Sequence, residues 1–259
     1  MIDIKTPEEI TVMREGGRRL GNILEELLDY SRPGTGLMDI EKKADALIVQ
    51  NDATASFKTV SGYHWATCLC VNEIVVHGIP TAYVLSEGDV LTIDIGLIYK
   101  GFHTDTAWTK IVTEHATPVK GYAEKQKFLT VGKKALEQAI RTATVNHRIG
   151  DISEAVQTAI EGAGYSIVKS LVGHGVGREL HEEPQVPNYQ RGDIGNTLEL
   201  KEGMTIAIEP IYAMGKGEIV YENDDGWTLA TSDRSLTSVF EHSIAITRDG
   251  PIVLTKPGN

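Results

Sequence analysis

The sequence predicts an α+β protein built from two similar halves within one domain spanning residues 1–259. Three observations carry this. The order helix, turn, helix, antiparallel strands is met twice along the chain. No low-complexity segment or long linker parts the two passes, and 259 residues are enough to bury one large core. The apolar runs are strand-sized and bounded by Gly, Pro and Asn. The halves share no residue-level repeat, so the doubling rests on element order alone.

The elements follow in turn. Thr6-Pro7-Glu8-Glu9 opens a helix, with Thr6 at the cap, Pro7 at the first position and Glu9 closing a capping box. Ile10, Met13, Gly17, Leu20, Leu24 and Leu27 form its buried stripe until Ser31-Arg32-Pro33-Gly34 stops it. A second helix runs over 37–50, and strands are expected near 67–77, 90–96 and 102–112. A long helix over 121–144 buries Phe128, Val131, Ala135, Leu136 and Ala139. Residues 147–150 then turn, and Asp151 is read as the cap of a shorter helix ending at Ala163. Strands resume at 165–172, 204–209, 217–222 and 238–247.

Composition excludes several function classes. A net charge of -11 gives no basic face for nucleic acid. No apolar run is long enough for a membrane-spanning helix, and the N-terminal residues lack the basic-then-apolar pattern of a secretory signal. Cys68 and Cys70, the two cysteines, are too close in sequence to favour a disulfide and too few for a structural zinc site. Packing residues in a reducing cytoplasm are expected.

The chemistry is concentrated in strand carboxylates. Val90, Leu91, Ile93, Ile95, Leu97 and Ile98 make a run fit for burial, yet Asp94 sits inside it and Asp105 follows. A hairpin turning at Tyr99-Lys100 sets the two aspartates opposite each other, and one turning at Lys100-Gly101 makes them diagonal neighbours on the same face. Such a pair calls for a shared proton or a cation between them. Glu209 alternates with Thr205 and Ala207, while Glu241 shares a face with Ser243 and Ala245. His174 lies between glycines in Gly173-His174-Gly175-Val176-Gly177. Four carboxylates and one imidazole form a hard donor set suited to two divalent ions of the manganese, iron, cobalt or zinc kind. Taken singly, a strand carboxylate is more often an ion-pair partner than a ligand.

The motifs as a set decide more. Asn72-Glu73-Ile74-Val75-Val76-His77-Gly78-Ile79-Pro80, Asp94-Ile95-Gly96, Gly101-Phe102-His103-Thr104-Asp105-Thr106 and Gly173-His174-Gly175-Val176-Gly177 occur in order. His181-Glu182-Glu183-Pro184, Ile208-Glu209-Pro210 and Phe240-Glu241-His242 follow them. In this order and spacing the chain resembles the type I methionine aminopeptidases over nearly its whole length. The resemblance implies a pita-bread fold, two pseudo-symmetric halves with a curved antiparallel sheet flanked by helices, around two divalent metal ions (Co, Mn, Fe, Zn or Ni). It implies that Asp94 binds one ion, that His174 and Glu209 bind the other, and that Asp105 and Glu241 bridge both. Glu209 is then the general base, His181 a donor to the scissile carbonyl and His77 a contact to the peptide nitrogen. Tyr63, Cys68 and Trp227 match positions lining a methionine pocket.

The implied activity is removal of the N-terminal methionine from nascent chains whose second residue is small. Nascent N-termini are the expected partners, with ribosome contact transient at most, a monomeric state and a cytoplasmic location. The short span from His181 to Glu209 lacks the insertion of type II enzymes, and the chain has no room for the extra N-terminal domain of prolidases. Leu180 replaces a usual bulky aromatic, Cys70 a frequent serine, and residues 63–68 lack the usual proline; these bear on the pocket and leave the ligand set untouched. His64, His103, His115, His147 and His242 are read as structural. Against this stand a non-catalytic pita-bread binding module, a proline-releasing peptidase and a metal store. The intact ligand set, the missing domain and the two extra histidines weigh against each in turn.

Overall fold

Two pairs of helices, each laid on antiparallel strands, carry most of the chain. The computed structural model describes residues 2–114 and 121–258, so His115 lies outside the described residues. The first half comprises α1 (Pro7–Tyr30), α2 (Leu37–Gln50), β1 (Thr54–Ala55), β2 (Thr67–Val71), β3 (Ile74–Val76), β4 (Val90–Tyr99) and β5 (Phe102–Ile111). The second begins with α3 (Tyr122–Thr142) and α4 (Ile149–Gly162). Its strands are β6 (Ser166–Ile167), β7 (Val172–Gly175), β8 (Glu182–Pro187), β9 (Thr205–Ile208), β10 (Ile211–Ala213), β11 (Ile219–Tyr221) and β12 (Leu229–Thr231). They end with β13 (Thr237–Val239), β14 (His242–Thr247) and β15 (Gly250–Val253).

The start of α1 follows the sequence reading. Thr6 accepts from the Glu9 N–H, Glu9 accepts from the Thr6 N–H, and Pro7 takes the first helical position. Gly17 of this helix has a packing role. A Cβ there would sit 2.5 Å from the carbonyl oxygen of Leu254, so the bare backbone lets α1 lie against the chain beyond β15.

The β4–β5 hairpin settles the choice of turn. Tyr99 pairs with Phe102, leaving Lys100-Gly101 as a two-residue turn with φ of 48° and 84°. Positive φ at both positions is the tight hairpin geometry that twists with its strands, and Gly101 accepts it without strain. Asp94 therefore stands opposite Ala107 and Asp105 opposite Gly96, which makes the aspartates diagonal neighbours on one face. Along its other edge β4 carries β2, with Cys68 opposite Asp94 on that same face.

Several boundaries differ from the sequence reading. The expected strand 67–77 breaks at Asn72, whose φ of 58° turns the chain so that β3 leaves for a separate sheet with β12 and β11. Helix α4 starts at Ile149 rather than after Asp151. Asp151 lies inside its first turn and accepts the Arg148 N–H at 2.6 Å. The stretch 238–247 splits at Phe240-Glu241 into β13 and β14.

That split has a partner. β9 pairs with β14 in a five-stranded sheet ordered β15-β14-β9-β7-β8, and β10 pairs with β13 in a three-stranded sheet with β6. Ile208 faces His242 and Ile211 faces Val239. Between these rungs both chains leave the ladder together, at Glu209-Pro210 on one side and Phe240-Glu241 on the other. A double strand thus bends from one sheet into the next, with a glutamate on each side of the bend.

Helices α1 and α2 cover one face of the first sheet, burying Leu20, Leu24, Ile40 and Ile48 against Leu91, Ile93 and Ile95. Helices α3 and α4 cover the five-stranded sheet, burying Phe128, Leu136, Ile152 and Ile160 against Ile206, Ile244 and Ile246. The second half meets the first along the free edge of β5, where the Glu241 N–H donates to the Ala107 carbonyl at 2.9 Å. Ser243 Oγ accepts the Asp105 N–H and donates to the Asp105 carbonyl, and Thr106 Oγ1 donates to the Glu241 carbonyl.

Candidate metal centre

Strand register brings five donors to one place. Asp94 and Asp105 share the inner face of the β4–β5 hairpin. On the second half, His174 of β7 lies opposite Ala207 of β9, and Ala207 lies opposite Ser243 of β14. One step further along that face come Glu209 and Glu241 at the bend. The small side chains Ala207 and Ser243 leave the space that the longer donors fill.

The distances fit one cluster. His174 Nε2 is 3.8 Å from Asp105 Oδ2 and 3.7 Å from Glu209 Oε1. One donor atom each from Asp105, His174 and Glu241 lie within 4.8 Å of one another, a span an ion can bridge. His174 Nδ1 lies 2.8 Å from the Gly175 carbonyl. That oxygen can only accept, so Nδ1 carries the proton and the Nε2 lone pair faces the carboxylates.

Electrostatics shows what the cluster lacks. Burial, and then the neighbouring acids, push the carboxyls of Asp105 and Glu241 well above their usual range; burial and Asp94 do the same to Glu209. Burial also raises Asp94 and holds His174 down at about 4, so its imidazole is neutral at pH 7. Among the described residues, no lysine or arginine pairs with any of the four acids. Asp94 Oδ1 and Asp105 Oδ1 are buried with no hydrogen-bond partner. Buried carboxylate oxygens left bare cost several kcal/mol each on the scale of ion desolvation. Divalent cations fit this donor set, since they would satisfy the bare oxygens and balance the charge.

Beside the donors lies an apolar pocket. The cleft as a whole encloses about 570 Å³ and is lined by all ten residues singled out in the sequence: Tyr63, Cys68, His77, Asp94, Asp105, His174, His181, Glu209, Trp227 and Glu241. Phe57, Tyr63, Cys68 and Leu180 form its buried wall, with Trp227 packed against them and Cys70 in the same apolar cluster. Tyr63 and Trp227 meet edge to face with centroids 5.1 Å apart, and Tyr63 donates to the Thr67 carbonyl at 2.9 Å. Because Cys68 pairs with Asp94, this wall begins directly beside the carboxylates. His77 and His181 present their rings to the cleft. The protein around them still lowers both imidazoles, burial being the first cause. His77 sits at φ 56°, an uncommon position for a residue with a side chain.

Other lining residues escaped the sequence reading. Phe57 and Val60 come from a short turn after β1, where no periodicity marks them. Asp225 holds Trp227 in place by accepting the N–H groups of Trp227 and Thr228 at 2.7 and 2.8 Å. The Asn223-Asp224-Asp225-Gly226 run carried that signal, as turn-forming side chains do.

A cleft between two sheet-and-helix halves, floored by an imidazole and by carboxylates that no lysine or arginine among the described residues neutralises, defines a pita-bread protein equipped for divalent metal. Comparison with known proteins narrows this: the chain belongs to metallopeptidase family M24, whose model matches residues 11–248. It is 39% identical over 257 residues to "Methionine aminopeptidase 1" of Bacillus subtilis, spanning 99% of this chain and 100% of that one. It is 37% identical over 256 residues to the methionine aminopeptidase of Escherichia coli K12, spanning 98% and 94%. Among solved structures, methionine aminopeptidase from Thermotoga maritima superposes with a TM-score of 0.92 at 40% identity, covering 99% of this chain and 100% of that one. A prolidase from Pyrococcus furiosus shares the fold, with a TM-score of 0.73 at 21% identity; the match covers 99% of this chain and 66% of the prolidase.

Proposed function

We propose that this protein is a metal-dependent aminopeptidase that removes the initiating methionine from new polypeptides when the next residue is small. One observation carries the reading: the apolar wall and the carboxylate cage share the Cys68–Asp94 rung. A side chain seated in the pocket brings the first peptide bond to the donors.

Asp94 would hold one ion, His174 and Glu209 the other, with Asp105 and Glu241 shared between them. The chemistry supplied by divalent ions in such a cage is Lewis-acid polarisation of a carbonyl and acidification of water. Glu209 acts as general base, its carboxylate lying inside the cage 3.7 Å from His174 Nε2. It takes a proton from the attacking water and returns it to the leaving amine as the C–N bond breaks. His181 donates an N–H to the scissile carbonyl oxygen as charge develops there. Its lowered pKa keeps it neutral, and a neutral imidazole still has one N–H to give. His77 contacts the peptide nitrogen from the side of Trp227, whose ring centroid is 6.3 Å away.

Tyr63, Cys68 and Trp227 select methionine through apolar burial and sulfur–aromatic contact. A single catalytic domain, monomeric and working in the cytoplasm on emerging N-termini, completes the reading. The test is release of the first residue from Met-Ala-Ser, Ala-Ala-Ser and Ala-Pro after chelation and return of manganese or cobalt. Cleavage of Met-Ala-Ser alone is expected. Hydrolysis of Ala-Pro with Met-Ala-Ser left intact would instead favour a proline-releasing peptidase.

A further inference from the structure

Lys5 is only 2% exposed, a rare state for a lysine, and its ion-pair partner is Glu182, the residue after His181. Its ammonium ion-pairs with Glu182 Oε2 and also reaches the Asp3 carbonyl at 3.3 Å and the Asp3 carboxylate at 3.4 Å. The other oxygen of Glu182 accepts the backbone N–H groups of Arg178 and Glu179 at 2.6 and 3.1 Å. One carboxylate therefore ties the turn before His181 to the N-terminal segment. Arg178 adds ties of its own, to Asp3 at 3.2 Å and to Glu9.

The fit is close on every side. The Lys5 stem lies on Gly177, where any Cβ would overlap it. The Lys5 N–H donates to the Gly203 carbonyl at 2.8 Å, and the Gly177 carbonyl accepts the His103 N–H at 2.6 Å. The His181 ring has no hydrogen bond to any described residue and meets His174 edge to face at 4.5 Å. Its aim is thus set by the backbone that carries it. A buried ion pair stabilises a fold poorly, because desolvation offsets its attraction, whereas its geometry is narrow.

We propose that Lys5 is a positioning residue: through Glu182 its buried ammonium fixes the turn at residues 177–182 and so orients the His181 imidazole over the cleft. This rests on His181 being the donor to the scissile carbonyl. Small misplacements of such groups cost up to about a hundredfold in rate.

The experiment is a double-mutant cycle on manganese-loaded full-length protein with Met-Ala-Ser, using Lys5→Met, His181→Ala and the pair together. Lys5→Met is expected to lower kcat by about ten- to a hundredfold with KM nearly unchanged. Manganese uptake by calorimetry should stay as in the parent. In the His181→Ala background, Lys5→Met should add no further loss. Losses that multiply in the pair, or a fall in Tm with kcat intact, overturn the proposal while leaving the role of His181 standing. Full activity in His181→Ala instead removes the reading on which it rests. Should Lys5→Met fail to fold, Glu182→Gln keeps volume and the backbone-accepting oxygen while deleting the ion pair. It should show the same kcat loss, and unchanged turnover there refutes the proposal.

Discussion

Replacing Glu241 by glutamine should alter the pH dependence of stability in the metal-free protein. Burial and three neighbouring acids hold the Glu241 carboxyl well above its ordinary range. A group whose folded pKa is raised contributes stability below its unfolded value and loses it as pH rises toward the folded one. Histidines act in the opposite sense at lower pH. His174 and His242, held at about 4 by burial, gain stability as pH climbs to their unfolded value near 6.5. Above pH 7 the buried thiols of Cys68 and Cys70, also raised by burial, lose stability as well, but they do so in parent and variant alike, so the difference between the two isolates Glu241. Each carboxyl still protonated in the fold loses about 1.4 kcal/mol per pH unit. Between pH 7 and pH 9 the loss from Glu241 is therefore bounded at about 3 kcal/mol, or at most roughly 6–12 °C in Tm for a chain of this size. The assay is thermal unfolding of chelated parent and Glu241→Gln proteins at pH 7 and pH 9, repeated with manganese. Metal-free Glu241→Gln should lose less Tm over the interval than the parent, whereas the manganese-loaded parent should hold its Tm. Equal slopes for the two chelated proteins would refute the account of mutually repelling buried acids.

Glu209→Gln should lower kcat on Met-Ala-Ser by about 10²–10⁴-fold; unchanged turnover in a metal-loaded variant removes the assigned base. Trp227→Ala opens the pocket wall beside Tyr63 and should cut kcat/KM for methionine by about ten- to a hundredfold, from the roughly 1.5–3 kcal/mol gained on burying such a side chain. A smaller loss for methionine than for alanine in the first position would contradict the pocket assignment. Gly17→Ala places a Cβ 2.5 Å from the Leu254 carbonyl, so the expected overpacking cost of about 1–3 kcal/mol outweighs a helix-propensity gain of about 1. Gly162→Ala, where a Cβ meets nothing within 4 Å, should raise the urea midpoint by a small margin; a matched response of the two variants would refute the packing argument.

The helices were legible because their signals are local. Thr6, Pro7 and Glu9 announce α1 with no help from the rest of the chain, and the two passes of elements are the two halves observed. The pairing of Asp94 with Asp105 was legible to within two choices of turn, since both keep the aspartates on one face. What singled out Lys100-Gly101 was backbone handedness at Lys100, which its side chain does not advertise. Asn72 hid the break between β2 and β3 in the same way. The bend at Glu209-Pro210 and Phe240-Glu241 was half visible: proline marks one chain, but the other continues as apolar alternation, and only pairing across the ladder shows both leaving it together. Assembly of donors from β4, β5, β7 and the bend is a matter of register between distant strands. Single-strand patterns cannot supply that, and the motif resemblance did. Family membership and fold agree with that resemblance. The β1, β8, β10, β12 and β15 strands went unseen because they are short or carry proline and charge.

The bend between the two sheets acts as a gauge. Glu209 and Glu241 stand on opposite jaws, so the opening between their oxygens follows from how sharply the double strand is folded rather than from either side chain. Tyr212 lies just past one jaw, its hydroxyl clamped between the Gly132 N–H and the Phe128 carbonyl of α3. Loosening that clamp, as Tyr212→Phe would, should change which ionic radius the opening favours with every ligand residue retained, and competition between two metals of unequal size would read it directly.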